Sequence, residues 1–434
     1  MHVKKLERVE PIKLYSVIRE FENPFIFTII GKDSKEAKLT YISASPEFTV
    51  EISGKGTFLD GKKVSNETNP FLSLKSFNMD SASGSGFLGG FMGYIAYDAV
   101  HNYIEGSIEE PSVFGYYPWV FIYNHGKGEL RFYYLRDPSF DPETIVERAK
   151  REELKFENGG AEIIRTDANR EEFMEMVEKG KEYIFAGDVF QVVLSREYVL
   201  RSDVDPVELY RKLISINPSP YTFILEFKKI LVGASPETMG SVEGRTVRIN
   251  PIAGTAPRGK TPEEDEEIRR RLLSDEKERA EHVMLVDLAR NDVRKVSKPG
   301  SVKLVRFFDV IKYSHVQHIE SEVIGELADD KDMFDAIEAS FPAGTLTGAP
   351  KIRAMEIIDE LEKSRRRVYG GAIGYFSITG YADFAIAIRM AEIEGRKAHV
   401  RAGAGIVADS IPEKEFYETE NKMKAVLKAF GVIQ

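Results

Sequence analysis

Short runs of apolar and β-branched residues, broken by Gly, Ser and Pro, dominate the first third of the chain and predict strands. Phe25–Ile30, Ala37–Ile42 and Phe48–Ile52 are such runs. Trp119–Tyr123 and Leu130–Leu135 predict a hairpin around Asn124-His125-Gly126-Lys127-Gly128. Pro142–Phe156 reads as a helix, and Glu157-Asn158-Gly159-Gly160 breaks it. This break is the expected boundary between residues 1–157 and 161–434.

Beyond the break the two periods alternate. Thr166-Asp167 is placed to cap a helix from about Arg170 to Ala186. Val189–Leu200, Tyr221–Phe227 and Lys229–Gly233 read as strands, and Pro206–Ile214 as a helix. Pro262 to about Val296 is charged and helical, long enough for two helices. Further helices are expected at Met333–Ala339, Pro350–Lys363 and Glu413–Phe430, and strands at Gly371–Ile378, Ala382–Ile393 and Ala398–Val407. The mixture implies an α+β fold, or a β-sheet sandwich with helices outside. No internal repeat is evident, which argues against a solenoid or propeller.

Composition narrows the chemistry. Over 434 residues, 60 Lys+Arg against 70 Asp+Glu give a net charge of −10, which argues against nucleic acid as a partner but leaves room for a local anion pocket. The absence of cysteine excludes disulfides, thiolate nucleophiles and Cys-ligated metals. Met1–Glu10 has no apolar signal-peptide core and no apolar run is long enough to span a bilayer, so a cytoplasmic protein without a membrane partner is expected.

Several residues carry candidate chemistry. Glu278/Glu281 and Glu415/Glu418 are i, i+3 pairs on two expected helices, each with both carboxylates on one face. Such pairs suit a hard cation such as Mg²⁺, but on spacing alone they read first as solvated helix faces, where Glu at this spacing is common. Three Gly/Thr-rich turns are Pro251–Thr255, Gly344–Lys351 and Ala402–Gly405; the second leads into a helix, where backbone N–H groups can meet an anion. It is not a Walker loop, and each of the three also reads as a plain turn. Arg389 ends an apolar strand, either as an anion contact or as an emerging surface residue. His315 and His318 have the odd spacing that places them on opposite faces of a strand. Lys363–Arg367 reads as a solvated helix end or a patch for an acidic partner.

Taken together, these segments resemble the chorismate-utilising enzymes, and within them the anthranilate synthase component I branch. The resemblance covers nearly the whole chain. It is carried by Phe190–Arg196, Asn217–Tyr221, Gly233–Glu237, Pro251–Gly259, Ala280–Asp292, Tyr313–His318, Gly344–Lys351 and Glu415–Lys422, with Gly89–Tyr94 and Tyr97-Asp98 in the N-terminal half. It implies two large antiparallel sheets in a sandwich with helices outside. Residues 1–157 become an N-terminal subdomain and 161–434 the chorismate-binding catalytic domain. The implied reaction takes chorismate and ammonia to anthranilate and pyruvate. The ammonia comes from a separate glutamine amidotransferase subunit, whose nucleophilic cysteine this chain lacks.

The resemblance also implies roles. Glu281 and Glu418 match direct Mg²⁺ ligands, and Glu278 and Glu415 outer carboxylates acting through water. Arg389 and Tyr369, with backbone N–H groups near Gly403 and Gly405, match a clamp on the enolpyruvyl carboxylate. Thr345, Gly254 and Thr255 match pocket residues, and Lys422 a carboxylate contact. Glu237 matches the general acid for loss of the C4 hydroxyl, and His318 the histidine of the second half-reaction.

Two positions select within the family. Water-adding members carry Lys where Gln191 stands, and many aminodeoxychorismate synthases carry a nucleophilic Lys where Ala253 stands. Gln and Ala can do neither, which favours direct ammonia attack over the aminodeoxychorismate synthase alternative. An intact catalytic set argues against a non-catalytic chorismate or tryptophan sensor. Tryptophan-inhibited members carry Leu-Leu-Glu-Ser where Ile26-Phe27-Thr28-Ile29 stands, and Thr222 replaces a Met after Tyr221. A tryptophan site involving Thr28 and Tyr221 is therefore left open.

Overall fold

The computed structural model describes residues 1–30, 38–156, 159–312 and 316–433. Two twelve-stranded antiparallel sheets lie face to face, as the sandwich expectation required. The first runs from His2–Leu6 at one edge to Ala161–Thr166 at the other, and the second from Ile252–Pro257 to Lys62–Ser65. Between them, Phe25, Phe27, Tyr221 and Phe223 of the first sheet meet Tyr94, Ile373, Tyr375 and Ala385 of the second. Fully burying a Phe side chain of this kind stabilises the fold by roughly 1.5–3 kcal/mol relative to leaving it exposed.

The alternate residues of the same strands face outward, under helices. Pro11–Ile18, Pro142–Arg151, Pro206–Ile216 and Pro412–Ala429 pack on the first sheet. Arg170–Ala186, Glu276–Arg294, Met333–Ser340 and Lys351–Leu361 share a separate apolar cluster with both sheets. Three of the first group start with Pro in the first turn behind an acidic or polar residue, the pattern that pre-sets helical φ where an N–H is unpaired anyway.

The expected hairpin forms, with Trp119–Asn124 paired to Glu129–Tyr134. The helix expected at Pro142–Phe156 ends at Arg151, five residues before the expected Phe156. The next helix is capped by Asn169 in a capping box with Glu172, not by Thr166-Asp167. Asp167 is committed elsewhere: it accepts from the Glu197 N–H at 2.7 Å and from Arg401 at 2.8 Å. Ala37, Glu157, Asn158 and Tyr313–His315, which carry parts of the sequence expectations, lie outside the described residues.

The largest departure is Ala382–Ile393, expected as one strand. It is two strands in different sheets: Ala382–Ile386 pairs with Ala372–Ser377 in the second, and Met390–Glu394 with Ile230–Ser235 in the first. The chain changes sheet across Ala387–Arg389, where Arg389 has φ +53°. A second crossing lies at Pro236-Glu237, between Ile230–Ser235 and Thr238–Glu243. Strands from 1–157 enter both sheets: Phe25–Ile29 pairs with Tyr221–Glu226, and Gly90–Ile95 with Ala372–Ser377.

Candidate active site

The two crossings deliver Glu237 and Arg389 to one cavity of about 690 Å³. Glycine-bearing strands form part of its wall. Lys397–Ile406 contributes Gly403 and Gly405, and Ile252–Pro257 contributes Gly254. A methyl group on Gly405 would come within 2.5 Å of the Gln191 amide nitrogen, and one on Gly403 within 3.2 Å of the Tyr369 hydroxyl. These glycines let the backbone approach the pocket-lining side chains. Gly254, at φ +61°, sits where a Cβ would meet Glu278 Oε2 at 3.0 Å.

Glu237 accepts a hydrogen bond from Thr345 Oγ1 at 2.8 Å. Burial pushes its carboxyl up to about 7, opposed by the Thr345 bond and the charges of Lys422 and Arg389. It is therefore poised between acid and base near neutrality. Burial lowers the Arg389 guanidinium from its ordinary value, against the pull of Tyr369, Glu418 and Glu237. Its left-handed backbone costs on the order of 1–3 kcal/mol, strain of a kind that concentrates at functional sites.

His318 lies on Val316–Glu326, and its Nδ1 contacts the Gly254 carbonyl at 3.1 Å. A carbonyl only accepts, so Nδ1 carries the hydrogen and Nε2 is the basic nitrogen of the neutral ring. Burial lowers its proton affinity from the ordinary imidazole value, with the Gly254 bond opposing and the Arg389 charge adding to the shift. Thr255 is paired with His318 across the same ladder.

Four carboxylates line the cavity from two helices: Glu278 and Glu281 from Glu276–Arg294, and Glu415 and Glu418 from Pro412–Ala429. Asp275 starts the first of these helices by accepting from the Glu278 N–H at 3.1 Å. Next to Glu281, the buried His282 ties the helix to Ser321 on the His318 strand at 2.6 Å. Gln191 donates to Glu281 at 3.3 Å, and its buried carbonyl oxygen has no hydrogen-bond partner among the described residues. Lys422 bridges Glu418 at 2.6 Å and the Gly403 carbonyl at 2.8 Å. An all-oxygen carboxylate set with an unsatisfied amide oxygen beside it fits a hard divalent cation.

A different acidic trio, Glu110, Glu392 and Glu394, has oxygens within 4.8 Å of one another. It surrounds Lys229 Nζ at 2.6, 2.5 and 2.9 Å, and Arg367 also pairs with Glu392. Those two cations already offset most of its charge, so it reads as a structural ion cluster.

Thirteen of the expected site residues therefore converge on one cavity: Glu237, His318, Thr345, Gly254, Tyr369, Arg389, Gly403, Gly405, Lys422, Glu278, Glu281, Glu415 and Glu418. Thr28 and Tyr221 are elsewhere and point to opposite faces of the first sheet. Thr28 bonds Thr40 at 2.8 Å on the helix-covered face, whereas Tyr221 bonds Asp383 at 2.7 Å between the sheets. Lys351 does not line the cavity and pairs instead with Asp292 at 2.7 Å. Asn421 lines the cavity and was not singled out from the sequence; its i+3 spacing from Glu418 was the available signal.

The model of the chorismate binding enzyme family matches residues 27–428. The chain belongs to the chorismate-binding enzyme family. Within it, the chain is 70% identical to anthranilate synthase component 1 of Thermococcus kodakarensis over 432 residues, covering 100% of both. It is 52% identical to the protein of the same name from Archaeoglobus fulgidus, covering 99% of this chain and 100% of that one. The crystal structure of anthranilate synthase component I from Streptococcus pneumoniae superposes with a TM-score of 0.78 at 35% identity, covering 89% of this chain and 92% of that one. As a member of the chorismate-binding enzyme family the chain carries the sandwich fold its strand pattern implied.

Proposed function

We propose that the chain is the synthase subunit of an anthranilate synthase, converting chorismate and ammonia to anthranilate and pyruvate in tryptophan biosynthesis. The observation that carries this reading is the pairing of Glu237 with Thr345 in a pocket that also holds Arg389 and Tyr369, with Gln191 and Ala253 at the two selective positions. Arg389 and Tyr369 hold the enolpyruvyl carboxylate, and the N–H groups near Gly403 and Gly405 complete the clamp. Glu237, protonated below about pH 7, gives its proton to the departing C4 hydroxyl, which leaves as water while ammonia adds at C2. His318 Nε2 serves the proton transfers of the second step, in which the enolpyruvyl group leaves as pyruvate and the ring aromatises. Glu281 and Glu418 would hold Mg²⁺ directly, and Glu278 and Glu415 through water. When bound, the ion supplies positive charge to the ring carboxylate of chorismate.

The cavity is lined by residues between Gln191 and Lys422, which supports 161–434 as the catalytic domain and leaves 1–157 as the subdomain to which the resemblance assigns any regulatory role. Tryptophan is the candidate inhibitor, but Thr28 and Tyr221 point to opposite faces of the first sheet and do not form one site for it. The same reading places the enzyme in the cytoplasm; among the described residues no helix is long and apolar enough to cross a membrane.

The test is direct. Purified chain with chorismate, MgCl₂ and an ammonium salt is expected to yield fluorescent anthranilate and stoichiometric pyruvate. Neither product under those conditions sinks the proposal, and an amino intermediate without pyruvate favours aminodeoxychorismate synthase. With glutamine in place of ammonium the chain alone should be inert, because it has no cysteine to act as glutaminase nucleophile. Adding the amidotransferase subunit should restore turnover.

A further inference from the structure

In the basic run Lys363–Arg367, expected on a solvated helix end, Lys363 is exposed, but Arg366 departs from the expectation and is only 3% exposed. Its guanidinium lies behind the cavity wall. Nη1 donates to the Leu346 carbonyl at 2.6 Å and Nη2 to the Val193 carbonyl at 2.7 Å, and both residues line the cavity. Nε and Nη2 also fork onto Glu362, at 3.1 and 2.7 Å. The plane sits 4.6 Å from the Tyr97 ring centre and 5.9 Å from that of Tyr369. One cation thus ties together the turn that carries Thr345, the strand that begins at Gln191 and the face of Tyr369.

We propose that Arg366 is a positioning residue for the reaction, holding Thr345 against Glu237 without touching substrate. The inference rests on the function proposed above. Its physical basis is the connection from Leu346 to its neighbour Thr345. The carbonyl of Leu346 is fixed by a charge-assisted bond in a buried setting, so the Thr345 hydroxyl has a single position from which to reach Glu237 Oε1. Lysine cannot replace it, because one ammonium on a shorter stem cannot reach two carbonyls and a carboxylate in a fixed fork. Glu362 is not left stranded by that change, since the Ser195 N–H and hydroxyl both donate to it at 2.8 Å.

The experiment is a double-mutant cycle of Arg366→Lys with Thr345→Val, measured as kcat and KM and joined to crystal structures of wild type and Arg366→Lys. Misplacement by about 1 Å can cost on the order of 10²-fold, so kcat of Arg366→Lys should fall by about 30- to 100-fold with KM for chorismate changed by less than about 3-fold. In the Thr345→Val background the same substitution should cost less than about 3-fold, because its route of action is already gone. The variant crystal should show Thr345 Oγ1 out of hydrogen-bonding range of Glu237. Unchanged kcat, an equal loss in both backgrounds, or a retained Thr345–Glu237 bond overturns the proposal. If Arg366→Lys does not fold, Glu362→Gln takes its place in the cycle and the crystals, with a smaller loss of the same sign expected and the same outcomes overturning it. Should the wild type make no anthranilate, the functional reading fails by itself, while the crystal comparison still decides the placement of Thr345.

Discussion

At the scale of single residues, the site works by holding groups away from their ordinary ionisation. Glu237 is the clearest case, with a carboxyl raised from 4.5 to about 7. Glu237→Gln keeps an acceptor for Thr345 but has no proton to give, and kcat should fall by about 10²- to 10⁴-fold. In the wild type, turnover should decline as pH rises through about 7 and the acid ionises. Stability follows the same shift with a definite sign. Because the folded-state value is raised, the folded chain holds this proton more tightly than the unfolded chain. Below about pH 4.5 both states are protonated and nothing is lost. As pH rises from 4.5 to 7 the unfolded chain ionises first, and above 7 the buried charge costs about 3 kcal/mol. Glu237→Gln should therefore become more stable than wild type as pH goes from 5 to 8, in denaturant titrations at each pH. A stability difference independent of pH would show that the carboxyl is not raised.

At the scale of elements, the two acid-bearing helices and the sheet crossings make the pocket. Added Mg²⁺ should raise the wild-type melting temperature, since a ligand that binds only the folded state stabilises it by mass action. Glu281→Gln should melt normally without metal but lose most of that rise, and with it turnover; a full Mg²⁺ response in the variant removes Glu281 from the ligand set. A helix end distant from this chemistry provides the contrast. Asn169→Ala, which breaks the capping box, should cost about 1 kcal/mol and leave kcat unchanged. The helices were legible because Pro, Asp and Glu at their starts act locally. The strand run Ala382–Ile393 was misread because an apolar run records burial and not which sheet buries it. Only the left-handed turn at Arg389 separates the two halves, and a left-handed Arg has no sequence signal. Charge misled at Arg366 for a related reason: basic runs are ordinarily solvated, and its partners Leu346, Val193 and Glu362 lie on three different segments. The site itself was read from resemblance. Spacing alone left Glu278/Glu281 and Glu415/Glu418 open, because the meeting of two helices is a tertiary fact.

At the scale of the whole molecule, the cavity belongs to the C-terminal part of the chain, but the sheets that frame it belong to both parts. Tyr221–Glu226 is flanked by Phe25–Ile29 on one side and Ile230–Ser235 on the other. Ala372–Ser377 is likewise flanked by Gly90–Ile95 and Ala382–Ile386. Removing residues 1–157 would open an edge in the middle of each sheet. It would also strip Phe25, Phe27, Tyr41, Met92 and Tyr94 from the layer between them. Open edges beside exposed apolar faces are templates for aggregation, so residues 161–434 expressed alone should be insoluble or molten. Co-expression of 1–157 should rescue both solubility and anthranilate formation, because the interface it restores is a sandwich core and not a hinge. Heat should unfold the full chain in one cooperative transition for the same reason. A soluble, active 161–434 fragment, or two separate calorimetric transitions in the full chain, would mean that the N-terminal strands decorate a self-sufficient catalytic domain. In that case the regulatory role proposed for 1–157 would have to act through a weak docked contact, and not through shared sheets whose inner face carries Tyr221 directly onto Thr238 and Asp383.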